Sequence, residues 1–237
     1  MCNDPARPNA TLSCNECAGH TDPKGHPGAF LGEAPVGSGD TARIGPNAII
    51  RVNEAVAATL GIDESRAVFT QAGLASYLDT PPGAMVPAGE VTRLHRALLD
   101  RLPMEHRATV NRHAGIATAN YLLAHRIPKP AQAVLKVLPP VPAARVLITA
   151  MGKNSWTFAG GGRFEGTAGR PTRLVIADGP IQQAVAPSDR PARAPVCGYY
   201  AATFERLFQV LVTRKAQVRE IACQAQGAPA CVFEAVW

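Results

Sequence analysis

The chain has 237 residues, 46% of them hydrophobic, and a formal net charge of +6. That is enough apolar material for one large domain, or a domain with an appendage, and no run approaches the ~20 apolar residues that a membrane-spanning helix needs. The positive charge is uneven: residues 1–40 hold two basic and five acidic side chains, so the rest carries +9. Its arginines are scattered, with no dense run and no nucleic-acid motif, which points to carboxylate ligands or an acidic protein partner and away from nucleic acid. The N-terminus has neither the basic start nor the apolar stretch of a signal peptide. The expected location is the cytoplasm, where thiols stay reduced.

Residues 1–46 contain six prolines and seven glycines and hardly any apolar periodicity, so residues 1–45 are expected to form a flexible tail. Cys14, Cys17 and His20 in this tail have C-x-x-C-x-x-H spacing, half of a metal site without a second ligand pair. GSGDTA at 37–42 matches a dinucleotide fingerprint in letters only, because no strand precedes it and Pro46 follows closely.

From Pro46 the pattern turns helical. Ile49, Val52, Val56 and Leu60 share one face, with Asn47 as the expected cap and Gly61 as the stop. A second helix is expected from Asp63 to Leu78, before Pro81, Pro82 and Gly83 break the chain. A third runs over 87–102, ending before Pro103, and a fourth from Met104 to Arg126. His106 and His113 lie about two turns apart on this fourth helix, so they share a face. Either could serve as an axial ligand or proton donor to a metallo-tetrapyrrole, or sit at the surface as an ordinary histidine. Shorter helices follow at Pro130–Leu138 and Ala143–Met151.

The runs 155–164 and 170–179 read as two strands. Gly160 to Gly162 lack the Lys and Ser/Thr of a phosphate loop and mark a bulge, a turn, or an approach of backbone to a flat ligand. After a loop or short helix over 180–195, Tyr200, Phe204, Leu207, Phe208 and Leu211 have helical spacing. Two further strands surround the turn QGAP, with Val218, Ile221 and Cys223 on the first and 230–237 as the second. The sum is an α+β domain over 46–237: a mostly antiparallel sheet of about four strands packed against several helices.

Cys197, Glu220, Cys223 and Cys231 fall in this last unit. An antiparallel hairpin brings Cys223 and Cys231 together, with Glu220 reaching in from the first strand and Cys197 from the preceding helix start. Cys₃Glu suits a closed tetrahedral zinc shell, while packed free thiols or a disulfide are the alternatives that the residues leave open.

A Cys, twenty-two residues, a Glu, two residues, a Cys, seven residues and a Cys followed closely by an aromatic is a pattern that resembles the 4-vinyl-reductase domain. That domain also occurs in bacterial sensors of aromatic compounds and, in divergent form, in vesicle-trafficking subunits. The resemblance implies structural zinc at Cys197, Glu220, Cys223 and Cys231. From about Ala42 onward the chain is similar to the bacteriochlorophyll-synthesis branch of the family, whose named activity is 8-vinyl (4-vinyl) reduction. The implied ligand is a porphyrin or Mg-tetrapyrrole intermediate such as divinyl protochlorophyllide. The implied partners are pathway enzymes such as magnesium chelatase or the methyltransferase, and the family often dimerises through its helices.

Aromatic residues are few, and several gather near the expected sheet: Trp156, Phe158 and Phe164 on the first hairpin, Tyr199 and Tyr200 beside Cys197. With His113 these are the candidate ligand-binding residues, core filling being the alternative for the aromatics. A vinyl reduction needs a hydride or electron source, and the sequence shows neither a dinucleotide fingerprint in a strand–turn–helix setting nor four cysteines with iron–sulfur spacing. Reduction therefore rests on the resemblance alone, and an accessory protein that binds and delivers the tetrapyrrole is the preferred expectation.

Overall fold

A computed structural model describes residues 42–237. Cys14, Cys17, His20 and nearly all of the expected tail lie outside the described residues. The chain enters through β1 (Arg43–Ile44), which pairs antiparallel with β2 (Val86–Pro87). Between them lie α1 (Asn47–Leu60), α2 (Ile62–Gln71) and the single turn α3 (Ser76–Asp79).

Pro46, not Asn47, occupies the position before α1, and Asn47 is its first helical residue, its Oδ1 accepting from Arg51 Nε at 3.2 Å. The fixed φ of proline starts the helix without a side-chain cap. Gly61 ends α1 at φ 94, as expected. The helix expected from Asp63 to Leu78 is two pieces, because Gly73 turns left-handed at φ 70. Gly73 N–H then bonds Thr70 O at 3.0 Å and Leu74 N–H bonds Phe69 O at 2.8 Å, a closing pattern that satisfies the last carbonyls of α2.

Four helices follow, α4 (Ala88–Arg101), α5 (Met104–His125), α6 (Lys129–Val137) and α7 (Pro140–Lys153), and each starts directly after or at a proline in the extended-to-helix transition. Proline both disfavours helix in the residue before it and presets φ for the helix after it, so α5 starts where expected and α4 and α6 within a residue. In contrast, α7 begins at Pro140, three residues before the expected Ala143, and runs to Lys153.

Residues 156–159, expected as strand, form the helical turn α8 (Trp156–Ala159). Thr157 Oγ1 folds back onto Asn154 O at 2.7 Å and Thr157 O accepts from Gly45 N–H at 2.8 Å, so this short apolar run is fixed by bonds its own periodicity does not encode. The glycine run is the turn out of α8. A Cβ on Gly160 would come within 2.9 Å of Ala88 Cβ, and one on Gly162 within 2.6 Å of Ala177 O, so the backbone approached there is the protein's own.

The sheet comprises β3 (Arg163–Thr167), β4 (Thr172–Ala177), β5 (Gln217–Ala222) and β6 (Cys231–Val236), ordered β3-β4-β6-β5 with every pair antiparallel. Two hairpins thus join through β4 and β6, and between them in sequence come α9 (Pro180–Gln183) and α10 (Gly198–Leu211). This is the α+β architecture expected from sequence. On the inner face Leu174, Ile176, Phe233 and Ala235 are fully buried, under Tyr200, Phe204 and Phe208 of α10. A buried aromatic of this kind contributes about 2–3 kcal/mol. Among the described residues no helix is long and apolar enough to cross a membrane.

The other side of α10 packs on α5 through a seam of small residues. Thr203 Oγ1 lies 3.1 Å from Gly115 O, and a Cβ on Gly115 would stand 2.4 Å from Tyr199 O and 2.9 Å from Ala202 Cβ. Alanine at position 115 would favour the helix by about 1 kcal/mol, but the overlap is with backbone and cannot relax by a rotamer change. Gly115→Ala is expected to lower stability by about 1–3 kcal/mol in urea denaturation; a more stable variant would show that the seam is looser than this geometry.

Candidate metal centre

Cys197 stands immediately before α10, Glu220 lies on β5, Cys223 just beyond it, and Cys231 opens β6. One ligand atom from each falls within 4.8 Å of the others. The spacing Glu-x-x-Cys would normally defeat this, since residues three apart in a regular strand face opposite sides. A β-bulge resolves it. Glu220 pairs with Phe233 and Ala222 with the adjacent Val232, so Ile221 is the extra residue without a partner, and it is 52% exposed. The phase of β5 shifts by one there, and Glu220 and Cys223 both turn inward. Sequence reasoning placed Ile221 in the apolar pattern of the strand; it points to solvent.

The loop from Cys223 to Cys231 is held tightly. Gln226 N–H bonds Cys223 O at 2.9 Å, Gly227 turns left-handed at φ 95, and Gln224 N–H points at Cys231 Sγ from 3.3 Å. The Gln224 side chain latches the loop to the end of β4, its Oε1 accepting from Asp178 N–H at 2.9 Å and its Nε2 donating to Asp178 Oδ1 at 2.7 Å. Gln182, fully buried, holds Oε1 3.8 Å from Cys197 Sγ. Gln182 and Gln224 were not recognised from sequence, because a lone Gln in a loop carries no spacing signal.

All three cysteines are buried free thiols. Cys197 Sγ lies 3.4 Å from Cys231 Sγ, and Cys231 Sγ 3.8 Å from Cys223 Sγ, well beyond the ~2.05 Å of a disulfide. Around a tetrahedral ion with metal–sulfur bonds of about 2.3 Å, sulfurs sit about 3.8 Å apart. Glu220 Oε2 accepts from Cys197 N–H at 3.1 Å, whereas its buried Oε1 has no partner among the described residues. A cation would satisfy that oxygen, so the residues fit a divalent metal.

The electrostatics agree. Burial, then the neighbouring Cys223 charge, pushes the Glu220 carboxyl up to about 8. Hydrogen bonds with Cys223 and Cys231, followed by burial, push the Cys197 thiol well up. Cys223 moves the other way, its thiolate held by hydrogen bonds from Cys197 and Cys231 against the cost of burial. Cys231 is pushed up: its bond with Cys197 works against the rise, but its bond with Cys223 and its burial outweigh it. Without a cation four negative charges cannot coexist at these distances in the interior, so burial and mutual repulsion hold most of the cluster's acidic groups protonated.

The expected ligand-binding residues do not gather around one space. Phe158, Phe164 and Tyr200 join Phe204 and Phe233 in one aromatic cluster, with ring centroids 5.2 Å apart for Phe158–Phe164 and 5.4 Å for Phe204–Phe233. Tyr200 OH donates to Phe158 O at 2.8 Å. Tyr199 faces α5, its OH 2.8 Å from Thr118 Oγ1, and Trp156 is half exposed. His113 is exposed, with Nδ1 3.3 Å from Thr59 Oγ1, and His106 is exposed on the same helix. A cavity of about 260 Å³ lies elsewhere, between α4, α5 and the start of α10, and none of these residues lines it. His95 and Asn111 do, and sequence reasoning selected neither.

The 4-vinyl-reductase domain family matches residues 182–236, a span that holds all four residues of the metal centre. The chain is 44% identical over 192 residues to the bacteriochlorophyll synthase 23 kDa chain of Cereibacter sphaeroides, covering 81% of this chain and 89% of that one. It is 37% identical over 203 residues to the protein of the same name from Rhodobacter capsulatus, covering 85% and 91%. The chain belongs to this family of 4-vinyl-reductase-domain proteins, the bacteriochlorophyll synthase 23 kDa chains. Among solved structures, the phenol-responsive sensory domain of the transcription activator PoxR with phenol overlays at a TM-score of 0.39, with 17% identity, 63% of this chain and 74% of that one.

Two outcomes test the centre. Each ligand held protonated must release its proton on metal binding, so affinity must rise with pH, through about 8 for Glu220 and beyond it for the thiols. Calorimetry in buffers of different ionisation enthalpy is expected to show roughly two or three protons released per ion near neutral pH, with affinity falling about 100-fold or more per pH unit lowered. A flat pH profile would remove these four residues as the ligand set. Deleting Ile221 is expected to turn Cys223 outward and abolish bound metal in elemental analysis, whereas Ile221→Thr should retain the metal and change stability by no more than about 0.5 kcal/mol; full metal content in the deletion would show that the bulge is dispensable.

Proposed function

We propose that this chain is a zinc-stabilised accessory protein of bacteriochlorophyll synthesis that binds a porphyrin or Mg-tetrapyrrole intermediate and delivers it to a pathway enzyme. Membership in the 23 kDa chain family supports the role in bacteriochlorophyll synthesis. The observation that favours binding and delivery is the sealing of the metal centre. Cys197, Cys223 and Cys231 are at most 1% exposed, and four protein ligands complete a tetrahedral shell. A macrocycle has no path to such an ion, so the metal's part is to hold the C-terminal hairpin to α10.

Zinc is the ion that a Cys₃Glu set favours, since thiolates suit a borderline-soft cation and the tetrahedral shell suits zinc's lack of geometric preference. Its chemistry when bound is structural, with the binding free energy contributing to folding. The basic body, +9 over residues 41–237, complements the carboxylates of a tetrapyrrole and an acidic surface on a partner such as magnesium chelatase or the methyltransferase. Working as a homodimer in the cytoplasm belongs to the same reading. Of the expected ligand residues, Trp156 is half exposed and His113 is exposed on α5, whereas Phe158, Phe164 and Tyr200 are packed in the aromatic cluster, so the reading assigns first contact with the ring system to Trp156 and His113.

Purified protein titrated with divinyl protochlorophyllide and with Mg-protoporphyrin monomethyl ester is expected to show saturable absorbance and fluorescence changes at micromolar ligand. Added NADPH should leave the vinyl signature intact. Conversion to the ethyl product by the pure protein would sink the carrier reading and establish the vinyl reductase instead.

A further inference from the structure

His95 and Asn111 are 3% and 9% exposed, yet His95 Nε2 and Asn111 Oδ1 have no hydrogen-bond partner among the described residues. His95 belongs to α4 and Asn111 to α5, and both residues line the same cavity. Buried polar groups are nearly always paired, and two exceptions on residues that line one space mark a place for a ligand. Burial holds His95 neutral, its pKa pushed down to about 4. One ring nitrogen therefore carries a proton and the other does not, and Nε2 can donate. An amide turns over at its end without changing shape, so Asn111 can present its NH₂ group to the same point.

The charged residues that line the cavity are arginines, one of them paired with the carboxylate of Glu205. Arg107 and Arg112 line the cavity; Arg107 is fixed by Nη1 donating to Leu99 O and Leu102 O, both at 3.0 Å, while Arg112 Nη2 reaches Glu205 Oε1 at 3.2 Å. Gly198, the first residue of α10, lines it too, so the positive end of that helix dipole lies at the wall. Leu98, Ile181, Ala202 and Val218 supply apolar surface. At about 260 Å³ the cavity is below the ~300 Å³ at which pockets for larger ligands begin. It is too small for a whole macrocycle and suited to one ring.

We propose that this cavity binds a single flat ring bearing a carboxylate, the anion received by Arg107, Arg112, His95 and Asn111 and the ring by the apolar wall. Two sources share that chemistry: one pyrrole edge of a tetrapyrrole with its acid arm, or a free small aromatic acid. The first rests on the carrier reading and the second does not. Val196 and Gly198, on either side of Cys197, line the cavity, so its occupant touches the segment that the metal centre fixes.

The test uses the full, metal-loaded chain and pyrrole-2-carboxylate, with its methyl ester as the neutral control. Saturable binding of the acid is expected in calorimetry, with the ester weaker by about tenfold or more, as loss of a charge-assisted contact requires. Asn111→Leu, and Ala108→Trp at the exposed rim, should each weaken binding by about tenfold or more with metal content unchanged. Asn111→Leu should also raise the melting temperature of the ligand-free protein, because it removes an unpaired buried group. Displacement of the small acid by protoporphyrin IX but not by its dimethyl ester would assign the cavity to the macrocycle's arm. Failure of the porphyrin to displace a bound small acid would uphold the site and assign it to a free acid, leaving the carrier reading without this cavity. No saturable binding of either acid, equal binding of the esters, or unchanged binding in both variants would overturn the proposal, the cavity then holding water only.

Discussion

Four acidic side chains converge in the interior at a spacing that forbids them all to be charged unless a cation lies between them. This repulsion organises the C-terminal third of the molecule. The start of α10, the end of β5 and the start of β6 are brought together only where Cys197, Glu220, Cys223 and Cys231 meet. Most of the ladder and helix bonds nearby would form without the cluster. The register at Ile221, the tight loop to Cys231 and the latch of Gln224 to Asp178 have no evident purpose except to aim those four groups at one point.

From that point α10 acts as a spine with two faces. Its aromatic face, Tyr200, Phe204 and Phe208, fills the space over the sheet, while its small-residue face at Ala202 and Thr203 meets Gly115 of α5 closely enough to exclude a methyl group. The close approach sets how far apart α4, α5 and α10 stand at the cluster's end of the helix, where the cavity opens. Metal centre, seam and cavity are thus successive consequences of how one helix is fixed at its first residue. The candidate metal centre and the cavity lie on different residues, although Val196 and Gly198 beside Cys197 line the cavity.

Membership in the bacteriochlorophyll synthase 23 kDa chain family and a sealed metal centre point in the same direction. In the proposed reading the cysteine cluster serves structure, and recognition is assigned to less conspicuous residues. Arg107, Arg112, His95 and Asn111 would attract little notice individually in a basic protein. They are brought together only by lining one cavity.

Residue types and their intervals brought Cys197, Glu220, Cys223 and Cys231 forward as a candidate set, with packed thiols or a disulfide left open, and the folded chain brings the four together. Residue types were also enough for the limits of α1, α4 and α5, because Pro87, Pro103 and Gly61 act on the backbone locally, whereas the break at Gly73 and the start of α7 at Pro140 were not anticipated. The α+β class was legible as well, through the change from helical to alternating apolar spacing after residue 160. What depends on partners distant in the chain had to wait for the folded molecule. Trp156–Ala159 winds into a turn because Gly45 claims Thr157 O, not because of its own residues. Glu220 and Cys223 share a face because pairing with β6 leaves Ile221 out, a choice made by the neighbouring strand. The expected aromatic residues divide among core, seam and surface because apolar side chains pack wherever the fold leaves room, without a code for which ring meets which. The cavity was illegible for the same reason: His95 on α4 and Asn111 on α5 come to line one space only when two helices are laid side by side, and no local spacing records that.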